Sequence, residues 1–143
     1  MIKFWSYDKE LIKYKKKIFF NIHRSLNRGQ IFFGKELLTF EKNFTKKYKS
    51  KYGVAVGSGT DALFIALKSL GIKKGDEVIT VANTAIPTIS AIRTTGATPK
   101  LVDIGNDYLI DHSKIEKAIT KKTKAIIPVH LYGQTCNMNA IIK

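Results

Sequence analysis

What this 143-residue chain has little of narrows its class first. Cys136 is the only cysteine, so no intrachain disulfide can form, and a reducing cytoplasm is the natural setting. Arginine occurs three times, as Arg24, Arg28 and Arg93. Nucleic-acid readers lean on arginine forks, so the formal charge of +14 argues only weakly for a basic nucleic-acid module. No run approaches the roughly 18 consecutive apolar residues of a membrane span. The opening MIKFWSYDKELIKYKKK has no uninterrupted apolar stretch after its first charges, so it does not read as a secretory signal. Repeats and low-complexity linkers are absent. His23 has no His or Cys partner at a metal-pair spacing, and no metal site is expected.

What is present is a hydrophobic fraction of 44%, that of a globular chain. The basic excess is uneven. Residues 1–51 carry 14 basic and 4 acidic side chains, and residues 52–143 carry 11 and 7. The first part reads as two amphipathic helices. One spans residues 8–27, with Asp8 as N-cap, Leu11, Ile18, Ile22 and Leu26 among its apolar stripe, and Gly29 as the C′ residue. The other spans residues 34–48, with Leu37, Phe40, Phe44 and Tyr48 on one face.

The stretch YGVAVGSGTDALFIALKSL, residues 52–70, reads as strand, glycine turn and helix. Residues 52–56 suit a buried strand. Gly57 and Gly59 permit the sharp reversal, Ser58 or Thr60 can cap the helix, and Asp61 complements its positive end. A helix start opened by glycines offers free N–H groups to a phosphate, or is simply a βα turn. Further strands are expected at 77–82 (EVITVA), 99–104 (PKLVDI) and 123–129 (TKAIIPV), and helices at 86–95, 112–119 and from Asn137 onward. Strands alternating with helices at this rhythm make an α/β fold with a mainly parallel sheet and flanking helices. Ligands in such sheets sit beyond the carboxyl ends of the strands. Residues 57–61, 83–85 and 130–134 are expected to converge there.

Together, GKELLTFEKNF, VAVGSGTDALFIALKSLGIKKGDEVITVANT, PKLVDI and TKAIIPVHLYGQ resemble the DegT/DnrJ/StrS sugar aminotransferases, from about Arg28 to the last residue. The resemblance implies the N-terminal part of the large domain of a pyridoxal-phosphate-dependent transferase of fold type I. It divides the chain into residues 1–50, amphipathic helices, and 51–143, a truncated cofactor-binding domain. It implies pyridoxal 5′-phosphate as cofactor, a nucleotide-linked keto-sugar as substrate, glutamate as the amino donor and a homodimer as the complete assembly. Ser58, Gly59, Thr60 and Asp61 would hold the phosphate. Ala85 and His130 would border the pyridine ring, with Gln134 at the pocket's edge. Family members usually carry an aromatic residue where this chain has Ala85. The family's Asp, Gln and Schiff-base Lys all fall after residue 143, so the expectation is an N-terminal fragment with no catalytic residue of its own. A dehydratase branch with His in place of that Lys shares the same pattern. The alternatives are a noncatalytic remnant that binds pyridoxal phosphate, another phosphate ligand or a partner, and the basic nucleic-acid module above.

Overall fold

The computed structural model describes residues 6–143. The chain forms two compact units, one ending at Ala55 and one spanning Val56–Lys143.

The first unit contains α1 (Asp8–Asn27) and α2 (Lys35–Tyr48). The N-cap of α1 is Tyr7 rather than Asp8. Ser6 takes over the polar start: its Oγ accepts the Asp8 amide at 3.2 Å and donates to Asp8 Oδ2 at 2.8 Å. Asp8 thus lies in the first turn, where its charge complements the helix dipole. Gly29, at φ 67°, closes the helix in the left-handed conformation expected of a C′ glycine. Neither helix buries a residue, and Ile12, Phe19, Phe20 and Leu38 are all more than half exposed. On α2 the rings of Phe40, Phe44 and Tyr48 stack in series, with centroids 5.8 and 4.5 Å apart.

The strand expected at residues 52–56 does not form. A strand exists through its ladder partner, and among the described residues this segment has none. The Ala55 amide goes instead to Glu41 Oε1 at 2.8 Å, and Val54 is 81% exposed.

The second unit begins with α3 (Gly59–Ser69), followed by β1 (Glu77–Val81), α4 (Ile86–Thr94) and β2 (Thr98–Val102). A 3₁₀ turn at His112–Lys114 leads into the single-turn α5 (Ile115–Ala118), then come β3 (Thr123–Ile126) and the short α6 (Met138–Ile142). The three strands form a parallel sheet in the order β2-β1-β3. β1 is central, which explains its nearly continuous apolar run: both of its faces are covered. Val78 packs with Leu67, Ile72, Ile92 and Ala97 of the layer containing α3 and α4. Ile79 and Val81 face the opposite layer, with Val102, Leu109, Ile110, Ile115 and Cys136. Thr80 is the one polar residue in this run. It is fully buried, and its hydroxyl donates to the Ile127 carbonyl at 3.0 Å. Between Glu77 and Val78 the register to β3 slips, so that Val78 pairs with Ala125 and Lys124 bulges out.

At the amino end of the sheet, Thr120 Oγ1 donates to Glu77 Oε2 at 2.7 Å, and Lys100 Nζ lies 3.7 Å from the same oxygen. The Thr120 bond, aided by Lys100 and Lys122 against some desolvation, holds the Glu77 carboxyl below its usual range. Asp111 is lowered in the same sense, first by the Ser113 hydroxyl, then by the Ser113 amide and Lys114.

Two predictions follow from this packing. Carboxyls depressed in the fold contribute stability above their unfolded-state pKa and lose it as pH falls through the folded one. Melting midpoints measured from pH 7 downward should therefore drop below about pH 4, and Glu77→Gln should flatten part of that drop. An unchanged acid limb in the variant contradicts the assignment. Ile79→Ala, at a site with no exposed surface, should cost about 2–5 kcal/mol in urea unfolding.

Candidate functional site

The α3 start is built by its cap. Ser58 is extended, at φ −157° and ψ 165°, and its Oγ accepts the Asp61 amide at 3.1 Å. The same hydroxyl donates to Asp61 Oδ2 at 2.8 Å. A side chain at Gly57 would meet that carboxylate at 3.2 Å. Ser58 and Asp61 are therefore spent on each other. Gly59 and Thr60 are not: among the described residues neither amide has a hydrogen-bond acceptor, nor does the Thr60 hydroxyl. The space around Gly59 is open, with no atom within 4 Å of an added Cβ. The two amides without an acceptor and the neighbouring hydroxyl lie at the positive end of an eleven-residue helix, an environment that favours negative charge.

Ala85 is the N-cap of α4, exposed and without a capping side chain. The turn before it is held by Thr84 and Thr88, whose hydroxyls lie 2.8 Å apart, and by Asn83, whose Nδ2 donates to the Tyr108 carbonyl at 3.2 Å. Beyond β3, His130 is exposed, and its Nδ1 accepts the Cys136 amide at 3.1 Å. In the neutral ring this leaves Nε2 as the N–H, turned away from that bond. Cys136 is itself buried, with its thiol on the Val129 carbonyl at 3.3 Å, so the amide that orients the ring belongs to the core.

The loops that follow β1, β2 and β3 meet at the carboxyl edge of the sheet. Asn83 reaches Tyr108, and the Tyr108 and Tyr132 rings meet edge to face with centroids 6.3 Å apart. A cleft of about 280 Å³ opens there, lined by Ala82, Asn83, Leu101, Val102, Asp103 and Ile104. Among the described residues no hydrogen bond joins residues 58–61 or Ala85 to His130. The link is through packing: α3 lies against α4, and α4 against β2. Tyr108 lies in no motif, and Tyr132 lies within the HLYGQ stretch but is not singled out by it. The available signal is Asn106-Asp107 before one and Gly133 after the other, both turn formers.

A cleft of about 490 Å³ in the first unit is lined by Arg24, Arg28 and Lys35. Both arginines are paired with Glu36, at 3.8 and 2.6 Å, so this basic patch is partly neutralised.

The model of the DegT/DnrJ/EryC1/StrS aminotransferase family matches residues 13–143. A dTDP-3-amino-3,6-dideoxy-alpha-D-galactopyranose transaminase of Aneurinibacillus thermoaerophilus is 43% identical over 142 residues, covering 99% of this chain and 39% of that protein. Among solved structures, S. venezuelae DesV in complex with a ketimine intermediate superposes with a TM-score of 0.93 at 38% identity, over 99% of this chain and 38% of that one. Ntda of Bacillus subtilis, with bound cofactor PMP, gives 0.87 at 40% identity, over 90% and 30%. The chain thus spans about two fifths of the length of the curated relatives it matches. It has the α/β fold of the large domain of fold-type I aminotransferases, over the part it covers.

Because Ser58 is the sole side-chain cap of α3, Ser58→Ala should destabilise the second unit by about 1 kcal/mol. Glycine at the same position should cost only a few tenths, and denaturant melts of the two variants separate the outcomes.

Proposed function

The chain belongs to the DegT/DnrJ/EryC1/StrS aminotransferase family, and from that premise we propose that it forms part of a pyridoxal-phosphate-dependent enzyme that aminates nucleotide-linked keto-sugars. One observation carries the reading: the Gly59 and Thr60 amides have no acceptor among the described residues, at a capped helix start with open space beside Gly59. The residues fit a phosphate monoester. Gly59 and Thr60 donate to it, while Ser58 and Asp61 hold the turn in shape. Ala85 and His130 border the ring, with the His130 Nε2–H available as a donor because Cys136 engages Nδ1. When bound, the cofactor supplies an electron sink for moving an amino group. This chain's residues bind and orient; none is assigned a proton-transfer or covalent role. Glutamate as donor, a homodimeric assembly and a cytoplasmic setting complete the reading. The lone thiol, Cys136, is free and buried.

A noncatalytic ligand-binding role rests on the same seat and differs only in turnover. The seat is tested with pyridoxamine 5′-phosphate, which has no aldehyde to react with the many surface lysines. Proline is tolerated at the first helical position and removes one amide, and Ser58 is already in the extended conformation that a following proline requires. Gly59→Pro should therefore keep the helix by circular dichroism yet weaken binding about tenfold or more, since a hydrogen bond to a charged group contributes about 1.5–3 kcal/mol. Thr60→Val should weaken it in the same direction. Wild-type affinity in both variants overturns the seat.

A further inference from the structure

Two exposed tyrosines occupy backbone positions that favour other residues. Tyr108, at φ 64°, ends the three-residue loop of a small hairpin. The Gly105 amide donates to the Leu109 carbonyl at 2.9 Å and the Tyr108 amide to the Gly105 carbonyl at 3.0 Å, with Ile104 and Ile110 bridged behind them. That pattern is a turn followed by a left-handed bulge residue, a position that glycine normally fills. Tyr132, at φ 56°, and Gly133, at φ 76°, are the two central residues of a turn closed by Gln134 N–H to the Leu131 carbonyl at 3.0 Å. Two-residue turns with both φ positive favour Asn-Gly. A bulky side chain in either place is strained.

Packing does not account for the strain. Tyr108 is 59% exposed and Tyr132 67%, while the burial that anchors each loop belongs to neighbours: Leu109 and Ile110 beside one, Leu131 and Cys136 beside the other. What the two strained positions achieve is a pair of rings crossing at 86°, 6.3 Å apart. An edge-to-face pair leaves ring faces open to a third planar group. The pair also adjoins the carboxyl edge of the sheet, since Asn83, which lines the cleft there, donates to the carbonyl of Tyr108.

We propose that Tyr108 and Tyr132 form a stacking subsite for the nucleobase of a nucleotide-linked substrate. The inference rests on the nucleotide-sugar reading above. Aromatic stacking recognises the face that every base possesses rather than its hydrogen-bonding edge. The subsite therefore holds the base without selecting it, and leaves the sugar end to the residues at the strand ends.

The test uses the full chain with dTDP as probe, inorganic pyrophosphate as control, and asparagine variants, because asparagine tolerates the left-handed backbone. Wild type should bind dTDP saturably by calorimetry. Tyr108→Asn and Tyr132→Asn should each weaken it about tenfold, on the scale of one stacked base, with pyrophosphate binding unmoved. Their melting midpoints should be unchanged or raised, because strain is relieved while little packing is lost. Equal dTDP affinity in the variants, no dTDP binding by wild type, or a large fall in the midpoint overturns the proposal, the last by making the rings structural. Pyridoxamine phosphate binding separates the two readings. If it is absent while dTDP binding responds to both tyrosines, the subsite stands and the phosphate seat at Gly59 fails.

Discussion

Burial of β1 on both faces is the constraint on which the second unit depends. Val78 and Ile79 point to opposite layers and neither retains exposed surface. At about 25 cal/mol per Å² of apolar area removed from water, such a strand dominates the local energetics. It also demands that its backbone groups be paired on both edges, and β2 and β3 do so. Thr80 shows how strict the demand is, since its hydroxyl is tolerated in the core only by donating to the Ile127 carbonyl.

A parallel sheet carries its loops to one edge, and this is how packing becomes chemistry here. The ends of β1, β2 and β3 deliver Asn83, the Tyr108 hairpin and the His130–Cys136 loop to a common rim. The proposed anion seat at α3 is made differently, from a helix terminus whose cap satisfies the Asp61 amide and leaves those of Gly59 and Thr60 without an acceptor among the described residues. Rigid elements support each group: α3 packs on α4, and the thiol of Cys136 locks the residue whose amide orients His130.

Much of this was legible in the residues. The nearly continuous apolar run of EVITV announced a strand covered on both sides, the Gly-Ser-Gly turn announced the capped helix, and Asn137 and Gly29 served as expected at their helix ends. Elements whose existence depends on distant partners were not legible. Residues 52–56 have the composition of a strand, but composition cannot supply a neighbouring ladder, and the Ala55 amide turned to Glu41. Asp8 has the right chemistry for a cap, yet Ser6 performs the polar contact at that end. Tyr108 and Tyr132 were invisible because propensity places tyrosine in extended chain, and only the closed turns reveal that both are left-handed.

The pairing order of the sheet has a consequence for synthesis. β1 leaves the ribosome with one partner, β2, soon behind it, but its other edge is matched only after the chain as far as β3 has been made. At about 5–20 residues per second, that edge stays open for a few seconds in every nascent molecule. Lys124, at the register slip, belongs to β3 itself, so its charge reaches that edge only when the ladder closes.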